Sequence, residues 1–552
     1  MTIPGLFLDL DHPIDVARRF RKTRRPNLIQ QNGIWYDYTG TCYAEIEGAT
    51  VKSAVQDYLA GAFVGAMQRD GKTVTPANVR DNIPKPLPVA PHDVRHVVES
   101  LAALPEVHRP ADTYKSPSWL DGRDGDPRSL LPCRNGLFDL TTRELREHSP
   151  EFFCTYCLPL NYDPSVPVPQ KWLDFLDQVF TGRQHLIDAM QEVFGYAISG
   201  DRSLEKIIYH RGVSGSGKGV IFRVAEQLVG EQNTEALSYG GSESTLGDKH
   251  GLAHVENALL LQISDISFGH HGPANKAAST RLKEIGGGDK VPVRPLYGQT
   301  VSMRLPGLLM LASNDIPNFG TNADALARRL LFFPHDVSFK ADGTRDDTLK
   351  DPRKSPLLTV EALTGILNWS IAGLDRLKAR GRFEEWPESF EIKRRMLRES
   401  NHVVAFMINE CTTKPGRTVE KTTLHQVYRD WCAENDRDWK TEEHFSGHLQ
   451  RAADMLGLTL TDRRGARAED GSRPREWVGI CLNAANRVKY YERDAELYAD
   501  LIGLGIEPTK AGLDAIKTEP KSGRPIPRTW SPNADERNHA SDFEPGDGDE
   551  ED

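Results

Sequence analysis

The sequence predicts an α/β fold: a parallel-sheet core, a mixed helical and strand region before it, and a small winged-helix-like domain after it. Three observations carry that expectation. From about residue 203 the pattern becomes strand, glycine-rich loop, helix, strand, the rhythm of parallel α/β units. Three strand-like runs, 206–210 and the apolar 258–263 and 308–312, read as buried central strands, the last two stopping at a small polar residue. Residues 401–482 read as three amphipathic helices and a strand pair joined by a basic turn.

Composition bounds the class. A chain of 552 residues is too long for one compact core, so several domains are expected. With 38% hydrophobic and 27% charged residues it is globular, which excludes collagen, coiled-coil rods and wholesale disorder. The net charge is −10, yet the last eleven residues alone hold seven acids and no base. The body is therefore near neutral, and a nucleic-acid surface has to be a local patch. No apolar run approaches the roughly 18 residues of a membrane span. The first residues meet Asp9, Asp11 and Pro13 without a basic leader, so no signal peptide is expected. Seven cysteines make no disulfide framework, which suits a reducing cytoplasm. Cys154 and Cys157 lack the second ligand pair that zinc requires and read as structural.

Residues 1–130 form an α+β region. A hairpin is expected over 34–46 around Gly40, and a helix over 51–67 from apolar residues at Val51, Val55, Tyr58, Leu59, Phe63 and Met67. Prolines and glycines between 105 and 130 mark a connector. A largely helical segment, 131–202, follows. Its Asn135-Gly136 pair signals a tight turn, and the spacings at 172–180 and 187–198 are helical. The core runs over 203–340, a helical extension over 341–400, the winged-helix-like domain over 401–485 and another helical extension over 486–517. The composition of 518–552 is that of a disordered acidic tail.

The core carries the chemistry. Residues 212–219, Gly-Val-Ser-Gly-Ser-Gly-Lys-Gly, fit the phosphate-loop pattern G-x-x-x-x-G-K. Small residues let backbone N–H groups curl around phosphates, the helix N-terminus adds partial positive charge, and the lysine reaches the terminal phosphates. The nucleotide contacts expected are Gly212, Ser214, Gly215, Ser216, Gly217, Lys218, Gly219 and Val220. Gly219 stands where a Ser or Thr usually ligates Mg²⁺, so water, Ser216 or a carboxylate has to substitute. Asp265, at the end of the second strand, takes the metal-holding role, with Glu256 and Glu284 as candidate bases. Asn314, at the end of the third, fits a sensor of the terminal phosphate. Arg328 and Arg329 precede a fourth apolar strand and are candidates for an arginine finger in a neighbouring subunit.

Between Asp265 and Asn314 lie six Lys or Arg against two acids. Lys283, Lys290 and Arg294 are the expected DNA contacts there. Residues 291–298 have the make-up of a β-hairpin arm on which Tyr297 would stack. Arg463, Arg464 and Arg467 form the basic turn of the C-terminal domain, placed to meet duplex backbone.

The phosphate loop, Asp265, the stretch 281–290, residues 313–317 and the pair Arg328-Arg329, in this order, resemble the superfamily 3 helicases. The closest likeness is the phage and plasmid primase–helicase family, related to poxvirus primase–helicases. The likeness covers roughly two-thirds of the chain, about 130–485, and includes the segment from Arg134 to Tyr196. It implies an AAA+-like P-loop NTPase core, ATP and Mg²⁺ as cofactors, a homo-hexameric ring with ATP at subunit seams, and DNA through the centre. Gly219 and the single acid at 265 depart from the family pattern. No primase signature is evident in residues 1–130, which leaves a primase on a separate chain as a partner. Two other readings stand beside the helicase. One is an origin-binding initiator that uses nucleotide with little or no hydrolysis. The other is a small-molecule P-loop kinase, against which the basic stretch and the C-terminal domain argue.

Overall fold

The computed structural model describes residues 6–64, 86–110, 116–239, 244–248, 251, 252, 255, 257–266, 273–293, 301–344, 346–435, 439–465, 473–483 and 486. The chain divides into two compact units, Met1–Lys393 and Arg394–Asp552. The expected helix over 486–517 (Asn486 apart) and the tail 518–552 lie outside the described residues, as do Glu256, Arg294, Tyr297 and Arg467.

The first unit begins with helices Pro13–Arg24, Gly48–Ala60 and Pro91–Ala102, joined through Val16, Phe20, Val55, Leu59, Val97 and Leu101. The expected hairpin is present as antiparallel strands Ile34–Tyr38 and Tyr43–Ile46, with Ile29–Gln31 as a third. The expected 51–67 helix stops early. It ends at Ala60, where the Gly61 N–H closes the last turn on the Asp57 carbonyl at 3.2 Å. Ala62–Val64 then pairs in parallel with Leu6–Leu8. Phe63 sustained the helical spacing by coincidence: strand pairing over these three residues outweighs one further turn. The Asn135-Gly136 turn joins strands Leu130–Cys133 and Gly136–Asp139. Helices Gln170–Phe180 and Gln184–Ser199 follow, close to their expected spans. The second packs along Val360–Arg380, where Arg376 Nε, at 2.7 Å, and Arg380 both donate to the buried Glu192 carboxylate.

The central sheet, counted from Ile207, comprises β1 (Ile207–Gly212), β2 (Thr234–Ala236), β3 (Leu260–Ile263), β6 (Leu308–Ser313) and β7 (Leu330–His335). Helix α1 (Lys218–Val229) follows β1, α2 (Pro273–Gly286) follows β3, and short α3 (Ala323–Ala327) precedes β7. All strand pairings are parallel, in the order β2-β3-β6-β1-β7. Every residue of β6 and β7 is buried, which is why these strands read as unbroken apolar runs instead of alternating ones. Strands β4 (Val291–Val293) and β5 (Val301–Met303) form a separate antiparallel pair, so the expected arm has its base, and its tip lies outside the described residues.

Strand order positions the site. β1 lies between β6 and β7, and the chain leaves it first toward β2 on one side and later returns to β7 on the other. Ligands in such sheets sit at the carboxyl ends of strands, beside this switch point. The segments after β1, β3 and β6 share that edge.

The second unit contains helices His402–Glu410, Lys421–Glu434 and Glu442–Met455. Its antiparallel sheet runs in the order Thr418–Glu420, Arg475–Val478, Thr461–Arg464. Phe406, Tyr428, Trp431, Phe445 and Trp477 form its core. Among the described residues no helix is long and apolar enough to cross a membrane.

Candidate functional site

The phosphate loop leaves β1 at Gly212 and enters α1 at Lys218. Gly215 and Gly217 have φ of 78° and 85°. This is the left-handed region, which glycine enters without a Cβ penalty. At Gly217 a Cβ would also lie 2.9 Å from Val179 of the helix beneath, so glycine is required there on both counts.

The loop carbonyls are held from one side. Ser338 Oγ donates to the Ser214 carbonyl at 3.0 Å, the Phe339 N–H to Gly215 at 3.2 Å, and His335 Nδ1 lies 3.2 Å from the Ser216 carbonyl. A planar trans peptide points its C=O and N–H in opposite directions. Fixing the carbonyls outward therefore turns the following N–H groups inward. Among the described residues no protein acceptor meets the N–H groups of 213–217. The result is an anion-binding concavity at a helix N-terminus.

Lys218 closes this concavity. Its Nζ donates to the carbonyls of Gly212 and Val213 (2.8 Å for the latter), and lies 3.4 Å from Ser216 Oγ. It also donates to Asn314 Oδ1 at 3.2 Å. Sequence separation between these two residues is large; the β1–β6 pairing brings them together, in register from Ile208↔Met310 to Arg211↔Ser313. Tyr209 OH, bonded to Ser313 Oγ at 2.8 Å, fixes the end of β6 just before Asn314. Asp265 is exposed on the same edge, two residues past β3, where the Ile266 N–H bonds the Ala312 carbonyl at 2.9 Å. Ser216 is buried with its hydroxyl toward Lys218, and Gly219 offers no hydroxyl. Val220 is buried. Glu284 sits on α2, 3.9 Å from Arg281.

A cavity of about 310 Å³ adjoins the loop at Ser214, Gly215 and Gly217. Phe175, Val220, Phe339 and Leu349 supply apolar walls, and Asp174, Asp346 and Asp347 are the carboxylates that line it. Beneath the loop, His210 and His335 are both fully buried, with Nδ1 of the first 2.8 Å from Nε2 of the second. Burial depresses His335 to about 3, aided by the neighbouring Lys218 and Arg183 cations and opposed by the Ser216 carbonyl. Burial, the His335 ring and Lys218 hold His210 well below its ordinary range. Neither the histidine pair nor the cavity was legible in the sequence, because each joins residues more than a hundred positions apart without a local pattern.

The two arginines lie at the opposite edge. The Ile207 N–H bonds the Arg329 carbonyl at 2.8 Å, so both arginines precede the amino ends of β1 and β7. Six strand residues at about 3.3 Å each put the edges roughly 20 Å apart. Neither arginine reaches this chain's own loop. Arg329 is anchored by the Ala325 carbonyl at 3.0 Å and by Glu205 at 3.7 Å, and packs on Gly287. Arg328 is exposed.

Of the expected DNA contacts, Lys290 is exposed at the base of the β4–β5 arm and Lys283 is half-buried on α2. In the second unit Arg464 is exposed, whereas Arg463 Nε donates to Glu476 at 3.0 Å. Cys154 and Cys157 are buried free thiols, and burial pushes Cys157 up to about 12. Among the described residues no group of three or more His, Cys, Asp or Glu could hold a metal.

Residues 17–181 match the family model "D5 N terminal like". That match begins well before residue 130, so it takes in most of the N-terminal α+β region as well as the segment before the central sheet. Residues 210–329, from β1 to the arginine pair, match a family of unknown function, DUF5906. The D5-like match supports the primase–helicase resemblance at family level. An uncharacterized mitochondrial protein, ymf21, of Marchantia polymorpha is 29% identical over 123 residues, 20% of this chain and 68% of that protein. Among solved structures, the apo C-terminal region (305–718) of NrS-1 is 11% identical, covering 85% of this chain and 99% of that one, at a TM-score of 0.43. The JCV helicase is 14% identical, over 43% of this chain and 68% of that one, at 0.22. At those scores the fold rests on strand order and loop geometry.

Proposed function

We propose that this chain is an ATP-dependent DNA helicase of superfamily 3 type, acting in the replication of a phage, prophage or plasmid element. The contact between Lys218 Nζ and Asn314 Oδ1 carries the reading. It joins the phosphate-loop cation to the strand-end amide at the switch point of a parallel sheet, where a terminal phosphate would be both held and sensed. The D5-like match at 17–181 supports the replication setting. ATP would lie with its phosphates in the loop and its base in the adjoining cavity, between Phe175 and Phe339. Mg²⁺ typically takes one or two carboxylates, substrate phosphates and water, so Asp265 alone suffices as its protein ligand without a dedicated cage.

The three-stranded sheet of the second unit, with Arg475–Val478 in the middle, supports a winged-helix domain in which Arg464, at the end of strand Thr461–Arg464, meets duplex backbone; Arg467, three positions on in the sequence, is proposed to share that role. Since Arg463 is paired with Glu476, its part in phosphate binding is the smaller one. The exposed Arg328 supports a ring in which each subunit completes its neighbour's site, taken here as a hexamer in the cytoplasm, with a separate primase as partner.

Magnesium-dependent ATP turnover with and without single-stranded DNA, together with strand separation on a forked duplex, tests the proposal. Both activities are expected. Replacing Lys290 and Arg294 with Ala should abolish DNA stimulation while basal turnover persists; undiminished stimulation would take the β4–β5 arm out of the DNA path. One observation favours the initiator alternative: Gly219 supplies no hydroxyl and Asp265 stands alone. DNA binding with negligible turnover would select it, and failure to retain any adenine nucleotide would remove both readings.

A further inference from the structure

We propose that His335, backed by His210, is a positioning residue for the phosphate loop: it fixes the Ser216–Gly217 peptide so that the Gly217 N–H faces the bound phosphate. The inference rests on the nucleotide reading of the loop and adds to it a part made by residues outside the phosphate-binding motif. Hydrogen-bond bookkeeping fixes both tautomers. The Ser216 carbonyl only accepts, so His335 Nδ1, 3.2 Å away, must carry a proton. A neutral His335 then offers a bare Nε2, which accepts from a protonated Nδ1 of His210 at 2.8 Å. His210 Nε2 is left as a lone pair, and it is indeed a buried nitrogen with no partner. Its ring is packed against Phe222 and Phe333. The pair is thus a one-way chain of donors running from the core of the sheet, through β7, into the loop.

The backbone repeats the same alignment. Gly212 pairs with His335 across β1 and β7, and a Cβ on Gly212 would meet the His335 carbonyl at 2.0 Å. Loop start and histidine therefore share one rigid frame. Ser214 and Gly215 are held by Ser338 and Phe339, half-buried just after β7, whereas Ser216 is held by His335, fully buried at the end of β7. The peptide orientation argued above then aims the Gly217 N–H away from His335 and into the concavity. Without the donor, the buried Ser216 carbonyl loses its partner and the peptide can flip, presenting oxygen to an anion.

The test compares two side chains that differ in where they put an amide. In His335→Asn the NH₂ falls near the Nδ1 position and keeps the Ser216 bond. In His335→Gln it falls near Nε2, toward His210, and the Ser216 bond is lost. Affinity for a fluorescent ADP analogue with Mg²⁺ is measured on the full chain, with thermal melting as the fold control. His335→Asn should bind within about threefold of the parent and His335→Gln about tenfold or more weakly, the usual scale for one orphaned buried carbonyl. Equal affinities in the two folded variants would overturn the proposal, as would parental affinity in a folded His335→Gln should the Asn variant not fold. A parent chain that binds no ADP defeats the nucleotide reading itself, and the positioning role with it.

Discussion

Lys218→Ala is expected to lower ATP turnover by at least about 10²–10³-fold and to weaken nucleotide retention, with little change in melting temperature. The magnitude is that of removing one preorganised donor from developing transition-state charge. The direction follows from where the ammonium lies. Its Nζ meets two loop carbonyls, Ser216 Oγ and Asn314 Oδ1, all acceptors, so the cation already occupies the mouth of the concavity before any phosphate arrives. An incoming phosphate exchanges neutral acceptors for charged ones, which roughly doubles the strength of each bond. Alanine leaves the Gly212 and Val213 carbonyls facing the anion with nothing between. Asn314→Ala separates binding from chemistry: its amide touches the lysine and not the loop backbone, so nucleotide retention should persist while turnover drops by about tenfold or more. Steady-state turnover and equilibrium binding on the same preparations decide both. Turnover of Lys218→Ala within about tenfold of the parent chain would show that the phosphates lie elsewhere.

The sequence made the carboxyl edge of the sheet legible because each of its parts has a local signature. The glycine loop, the apolar strands and the polar residues that end them can all be found within a window of ten residues, and Lys218 and Asn314 do meet. What lacked a local signature stayed hidden. His335 is an ordinary residue at the end of a buried strand until β1–β7 pairing sets it 2.8 Å from His210. Phe175 lies on a helix that precedes the loop by some forty positions, and only packing against Gly217 gives it a place beside the site. The 51–67 helix shows the converse error. Its spacing was right through Leu59, but a three-residue parallel pairing with Leu6–Leu8, invisible to periodicity, took Ala62–Val64. At Arg463 the charge was legible but its partner was not: the cross-strand neighbour Glu476 is revealed only by the register.

The arginine pair separates by the same logic, and the larger effect belongs to Arg328. In an assembled ring Arg328→Ala is expected to cut ATP turnover by about 10³-fold or more, the scale of a lost arginine finger, while each subunit still binds nucleotide. Both arginines stand some 20 Å from their own loop, so a catalytic role requires a neighbour's site. Between them, only one is placed to leave its own subunit. Arg329 is bonded to Ala325, paired with Glu205 and laid over Gly287, contacts that fix the turn before β7. Arg329→Ala should therefore act on stability, by about 1–2 kcal/mol, through lost packing as much as lost charge. Mixing supplies the decisive measurement. Arg328→Ala and Lys218→Ala chains, each inactive alone, should recover part of the turnover when combined, because some seams then join an intact loop to an intact Arg328. No recovery from a mixture that assembles would place the arginine outside the seam and leave its exposed guanidinium to contacts with solvent or DNA.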